Sequence, residues 1–146
     1  MSDTGPGLLP AARLRVLLLD DDSFMLELLH AMLDDIGAFE VLPETSARRA
    51  LATLASSAPD LLVCDLSMPN MDGIEFMHAA AAAGFKGCVM LLSGMDAGVR
   101  KAAERLARAH GLRVLGAYKK PISPEQLREV LAPLVAGDAD ACHDRD

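Results

Sequence analysis

The sequence predicts an open α/β fold of five parallel strands, each followed by a helix, in the order 2-1-3-4-5. Three observations carry this. First, Val16 to Leu19, Leu61 to Cys64 and Val89 to Leu92 are continuous apolar runs, as strands buried on both faces of a parallel sheet must be. Second, these runs and Val114 to Lys119 each stop at a chemically active group: Asp20-Asp21-Asp22, Asp65, Ser93-Gly94 and Lys120-Pro121. Third, Asp20 and Asp65 lie 45 residues apart, while Ser93 and Lys120 follow at intervals of 28 and 27. One strand-helix-strand repeat takes roughly 30 residues, so the first interval holds an extra strand and helix and the later ones a single helix each.

The elements follow in order. Asp22 or Ser23 caps a first helix, Ser23 to Ile36, where Phe24, Leu28, Met32 and Ile36 recur at four-residue steps and Met25, Leu29 and Leu33 widen the stripe. Gly37 closes it. Phe39 to Leu42 is a short second strand. Thr45 or Ser46 caps a second helix carrying Ala50, Leu51 and Leu54, which ends before Pro59. Leu61 to Asp65 is the third strand; Pro69 stiffens the turn after it, and Gly73 lets backbone pass closely. Ile74 to Ala83 is an alanine-rich third helix closed by Gly84, with His78 solvated. Cys88 to Leu92 is the fourth strand. Asp96 starts a fourth helix running to His110, whose Arg100, Lys101, Arg105 and Arg108 read as a wet face. Leu112 to Tyr118 is the fifth strand. Ser123-Pro124-Glu125-Gln126 opens the last helix, with serine as cap, proline in the first turn and glutamine at the capping-box position. Residues 1–13 read as a loose leader, 14–136 as the domain and 137–146 as an acidic flexible tail.

Composition narrows the class. A chain of 146 residues suits one domain, and with 51% apolar but only 3% aromatic residues its core must be aliphatic. The net charge of −7, with no basic cluster, argues against direct nucleic-acid binding. No apolar run reaches the ~18 residues of a membrane span, and the opening residues lack the basic start and apolar centre of a signal peptide. Three cysteines, Cys64, Cys88 and Cys142, show no metal-like spacing, and the odd count reads as reduced thiols in a cytoplasmic protein.

In the order 2-1-3-4-5 the first and third strands are neighbours where the strand order reverses, so Asp20, Asp21 and Asp65 meet at their carboxyl ends, where ligands bind in such sheets. Right-handed crossovers put helices on both faces. The three negative charges are costly together unless a cation sits among them. Oxygen-only donors select a hard ion, and Mg²⁺ with several waters suits an open loop site.

The pair Asp20-Asp21, the run Asp65-Leu66-Ser67-Met68-Pro69-Asn70-Met71-Asp72-Gly73, Ser93 and Lys120-Pro121 stand in order at strand ends. Together they resemble the response-regulator receiver domain of two-component signalling, with its chemotaxis-regulator-like fold, over about Leu14 to Val135. The resemblance implies a phosphoprotein in which Asp65 is the phosphoacceptor. Asp20, Asp21, Asp65 and the Ser67 backbone carbonyl would hold Mg²⁺. Lys120 would pair with Asp65 and then with the acyl phosphate, and Ser93 would donate its hydroxyl to a phosphate oxygen. It further implies a sensor histidine kinase or phosphotransfer protein as donor, and a downstream effector protein or a missing output domain as receiver of the signal. A homodimer through the face of helix 4, strand 5 and helix 5 fits the same pattern. The protein would catalyse only its own phosphorylation and dephosphorylation, so it is not a turnover enzyme. Residues 105–116 followed by Lys120-Pro121 add a fainter resemblance to receivers that precede EAL-type cyclic-di-GMP phosphodiesterase domains.

Two alternatives stand beside this reading. A haloacid-dehalogenase-type aspartyl phosphatase would read Asp20-Asp21-Asp22 as its Asp-x-Asp motif, but it would need a further strand with an acidic pair after the lysine, where only one helix and a tail remain. A receiver-like docking module independent of phosphorylation would keep the fold without the complete set of acids, hydroxyl and lysine. Two finer expectations follow. The Lys120-Pro121 bond should be cis, because the chain turns sharply while Lys120 still points into the site. Many receivers carry Tyr or Phe three residues before the site lysine; here that position is Ala117, and Tyr118 beside it should face the other side of the sheet unless a bulge intervenes.

Overall fold

The computed structural model describes residues 13–68, 73–94 and 96–137. The readings placed on residues 1–12, on Pro69, Asn70, Met71, Asp72 and Met95, and on 138–146 lie outside these residues. The chain alternates β1 (Leu14–Leu19), α1 (Ser23–Ile36), β2 (Phe39–Glu44), α2 (Ala47–Ser57), β3 (Leu61–Asp65), α3 (Gly73–Ala82), β4 (Cys88–Ser93), α4 (Ala97–Ala109), β5 (Arg113–Lys119) and α5 (Pro124–Val135). The strands form one parallel sheet in the order β2-β1-β3-β4-β5. Parallel pairing needs a crossover between successive strands, and the five helices supply them.

Side-chain alternation along the strands divides the core into two aliphatic layers. Leu17, Leu62, Cys64, Val89 and Leu91 meet α2, α3 and α4 through Leu54, Phe76, Ala103 and Ala107. Val16, Leu18, Leu61, Val63 and Met90 meet α1 and α5 through Leu29, Leu33, Leu127 and Leu131. The helices end where local chemistry directs. Asp22 is the N-cap of α1, its carboxylate accepting the amides of Phe24 and Met25; Ser46, Asp96 and Ser123 cap α2, α4 and α5. Gly37 closes α1 in the left-handed conformation.

The structure corrects the sequence reading in places. Phe24 and Leu28 are exposed, and Leu26, Leu29 and Leu33 form the buried stripe of α1. Steps of four residues drift by about 40° per step against the helical period, so Phe24 and Leu28 turn out of the face that Leu33 occupies. His78 is exposed, but its ring meets His110 edge-on at 4.8 Å between centroids. Arg108 is not purely wet: its guanidinium donates to Glu104 at 2.7 Å and to the Val114 carbonyl at 3.1 Å. Cys64 is a free buried thiol whose pKa is pushed far up by burial and by Asp65 and Asp20. Cys88 is disulfide-bonded, against the expectation of reduced thiols.

β5 carries a bulge. Val89 pairs with Val114 but Met90 pairs with Gly116, so Leu115 is the extra residue. The bulge precedes Ala117 and Tyr118, so those two still face opposite layers: Ala117 packs with the α2–α4 layer and Tyr118 with the α1/α5 layer. Gly116 has φ +155°, and a Cβ there would stand 2.6 Å from the Tyr118 hydroxyl. Gly116→Ala should therefore cost about 1–2 kcal/mol and push the ring outward. Tyr118 is the single tyrosine of a chain without tryptophan, so acrylamide quenching of its fluorescence reads the displacement and a urea melt reads the cost. Unchanged quenching with unchanged stability would refute the packing of Tyr118 over Gly116.

Candidate functional site

The site lies where β1 and β3 end side by side, because the strand order reverses there. Asp20 follows β1, Asp65 ends β3, Ser93 ends β4, and Lys120 follows β5. Cross-strand bonds hold these ends in register. The Leu66 amide donates to the Leu92 carbonyl at 2.9 Å, the Lys120 amide to the Ser93 carbonyl at 2.9 Å, and the Asp20 amide to the Glu44 carbonyl at 3.2 Å. The Lys120-Pro121 bond is cis, as the sequence reading expected.

Asp20 and Asp65 are each only 2% exposed, and Ser93 is fully buried at 0%, while Asp21 faces solvent. One oxygen of Asp20 accepts the Asp22 amide at 2.9 Å, and the other accepts the Lys120 ammonium at 2.9 Å. Oδ1 of Asp65 accepts the Ser67 amide at 3.0 Å, while Oδ2 lies 3.5 Å from Lys120. Lys120 thus sits closer to Asp20 than to Asp65, whereas the sequence reading paired it with Asp65 alone. One ammonium between two carboxylates leaves a net negative charge in a poorly solvated hollow.

The electrostatics follow. Burial, together with the Asp20 charge, holds the Asp65 carboxyl above the ordinary carboxylate range, although the Ser67 amide and Lys120 pull the other way. Burial by itself would lower the Lys120 ammonium, but its hydrogen bond to Asp20 and the two carboxylate charges outweigh that and raise it. Lys120 is thus a fixed cation, and Asp65 a carboxylate whose charge seeks a further partner.

Asp20, Asp21 and Asp65 each offer an oxygen, and these all lie within 4.8 Å of one another. Two of the three carboxylates are buried and all the donors are oxygen, which fits a hard divalent cation such as Mg²⁺. Ser67 stands two residues beyond Asp65, its amide held by that carboxylate. The sequence reading named every residue of this hollow but gave Asp22 no settled role; the structure uses it as the α1 cap. It also counted Phe24 as core, yet that ring is 69% exposed on the first turn of α1, next to the acids.

Comparisons with known proteins agree with this architecture. The sequence profile of the response regulator receiver domain matches residues 16–132. The cyclic di-GMP phosphodiesterase RocR of Pseudomonas aeruginosa is 32% identical over 119 residues, covering 81% of this chain and 30% of RocR. A protein-glutamate methylesterase/protein-glutamine glutaminase of Caulobacter vibrioides is 31% identical over 86% of this chain and 36% of its own. The chain thus spans about a third of the length of these two curated relatives. Among solved structures, a response regulator from Colwellia psychrerythraea is 35% identical with a TM-score of 0.75, covering 88% of this chain and 100% of its own. The chemotaxis protein CheY4 of Vibrio cholerae is 27% identical with a TM-score of 0.70, covering 83% of this chain and 98% of its own. A profile match across most of the chain, on the predicted strand order and with acids, hydroxyl and lysine at the predicted strand ends, places this protein in the response regulator receiver domain family.

Proposed function

We propose that Asp65 accepts a phosphoryl group from a phosphohistidine of a sensor histidine kinase or phosphotransfer protein, and that the acyl phosphate switches a partner-binding face. The observation that carries this is Asp65 itself: a carboxylate 2% exposed at the end of the central strand, with a fixed ammonium 3.5 Å away and two more carboxylates around it. An oxygen of Asp65 attacks phosphorus, the P–N bond to the donor imidazole breaks, and the bond electrons leave with the imidazole. The Ser67 amide orients the carboxylate for attack. Lys120 balances charge on the incoming phosphoryl oxygens, having shifted from Asp20. Asp20, Asp21, Asp65 and the Ser67 carbonyl would hold Mg²⁺, which supplies shielding of the phosphoryl charge. Ser93 turns its hydroxyl to a phosphate oxygen, drawing the end of β4 inward and biasing the face of α4, β5 and α5. Ala117 leaves the sheet on that side without an aromatic ring, so the switch rests on the chain from Ser93 into α4.

The partners follow as part of the same reading. A phosphodonor must reach Asp65 past the start of α1, where Phe24 and Leu28 offer exposed apolar surface. Val99 and Leu106 are exposed on α4 and suit an effector or a second copy on the α4-β5-α5 face. The receiver unit is 14–136, acting only on itself and located in the cytoplasm. Among the described residues, no helix is long and apolar enough to cross a membrane. The relative RocR keeps a cyclic-di-GMP phosphodiesterase as an output class for a longer protein carrying this receiver.

Incubation with acetyl phosphate and Mg²⁺ should add one phosphoryl group per chain, read by intact mass, and chelation of Mg²⁺ should prevent it. Asp21→Ala should weaken Mg²⁺ binding by roughly 10–100-fold while leaving the fold as stable or more so, because a repelling charge is gone. Unchanged Mg²⁺ affinity in Asp21→Ala would show that the ligands are misassigned.

A further inference from the structure

Two imidazoles from distant parts of the chain meet on the surface between α3 and α4. His78 stands within α3, and His110 is the residue that caps the end of α4. Their ring centroids lie 4.8 Å apart, the ring planes cross at 80°, and both residues are exposed. The chemistry at Asp65 uses neither. The packing of α3 against α4 brings them together, since no helical repeat links residues of different elements. An exposed edge-on contact buries little surface, and two protonated rings this close repel each other. An ion that takes one nitrogen from each ring gives the pair a bonded partner instead.

We propose that His78 and His110 form a site for a divalent transition ion of the zinc class, which ties the end of α4 to α3 within one chain. The donors select the ion. Neutral imidazole suits Zn²⁺, whereas Mg²⁺ prefers oxygen, so this site differs in kind from the hollow around Asp65. The separation of the rings fits. With Zn–N near ~2.0–2.1 Å, each ring centre lies about 3.2 Å from the ion, and a tetrahedral angle then sets two ring centres about 5 Å apart. The observed 4.8 Å matches that spacing. A ring bound through nitrogen turns about its metal bond, so the 80° between planes is compatible. Both side chains are exposed, so rotation about their own torsions can aim a nitrogen of each at one point. The position favours a cation as well. The His110 amide donates to the Leu106 and Ala107 carbonyls at 3.0 and 3.2 Å, which puts this residue at the negative end of the α4 dipole. Among the described residues the cluster of three or more metal-ligating side chains is Asp20, Asp21 and Asp65, so waters fill the remaining positions on an ion held by the two histidines. The inference does not depend on the phosphoryl chemistry.

The test titrates the full chain with Zn²⁺ alone as probe, in millimolar Mg²⁺ to compete at the acidic hollow. Calorimetry reads the affinity, and NMR reads the ring signals of the four histidines, His30, His78, His110 and His143. The expected result is that the His78 and His110 signals move together and saturate at one equivalent, with the protein still monomeric. His78→Gln and His110→Gln should each weaken binding at that site by at least about tenfold, since the loss of even a supporting group around a metal costs that much. His30→Gln and His143→Gln should leave it unchanged. Zn²⁺ should also slow amide hydrogen exchange in the last turn of α4, and this slowing should vanish in His78→Gln, an effect that a merely packed ring pair would not give. Wild-type zinc affinity in His78→Gln, movement of the His30 or His143 rings alone, or dimers joined through the ion would overturn the proposal.

Discussion

Asp65→Asn is expected to lose all phosphoryl incorporation from acetyl phosphate, because the amide nitrogen and oxygen cannot replace the carboxylate as nucleophile. The same variant should gain stability without Mg²⁺. The Asp65 carboxyl stands above its ordinary range, chiefly through burial. The folded protein therefore holds that proton more tightly than the unfolded chain does, so ionised Asp65 costs stability. The cost is complete above the raised folded pKa and fades as pH falls toward the unfolded value of about 3.9. At pH 7.5 the asparagine should stabilise by about 1 kcal/mol in a urea melt, and at pH 4 the gain should shrink toward nothing. Phosphoryl incorporation in Asp65→Asn at the wild-type level would remove the acceptor assignment. A gain that grows on acidification would contradict the electrostatic account of the hollow.

Lys120→Met carries the second large effect. The ammonium lies 2.9 Å from Asp20 and 3.5 Å from Asp65, both almost wholly buried. Without it two carboxylates face each other with no cation, and removing one member of a buried ion pair costs roughly 3–5 kcal/mol. The open side of the hollow, where Asp21 meets water, lets solvent relieve part of this, so we expect about 3 kcal/mol at pH 7.5. Millimolar Mg²⁺ should restore much of the loss, since an ion that binds only the folded chain stabilises it by mass action. Phosphorylation should fall sharply even with Mg²⁺ present, because charge on the incoming phosphoryl group loses its fixed partner. A variant as stable as wild type without Mg²⁺ would mean that Lys120 is a solvated strand end.

The strands were legible because burial on both faces leaves continuous apolar runs. Val16 to Leu19, Leu61 to Cys64 and Val89 to Leu92 mark β1, β3 and β4 in this way, whereas the edge strands β2 and β5 are only partly buried and carry a weaker pattern. The candidate site was legible because its residues stand at strand ends, where a short polar interruption is conspicuous. What escaped depends on geometry that composition does not encode. Leu115 as a bulge residue follows from the match between β4 and β5, and the single mark of it in residues 113 to 119 is Gly116, a glycine inside a strand, which the reading passed over. Phe24 fits a helical stripe by count, yet the rotation of α1 on the sheet places it outside. The closer pairing of Lys120 with Asp20 rather than Asp65 is decided by fractions of an ångström at the end of a flexible side chain.

The measurement that reaches the central claim most directly is chemical trapping of the acyl phosphate. The protein is phosphorylated with acetyl phosphate and Mg²⁺, reduced with borohydride, digested and sequenced by mass spectrometry. Borohydride converts a phosphorylated aspartate to homoserine and leaves free aspartates alone. The account predicts homoserine at position 65 and unmodified aspartate at positions 20 and 21. Homoserine at position 20 with Asp65 intact would contradict it, and would make the first acidic run the seat of the chemistry.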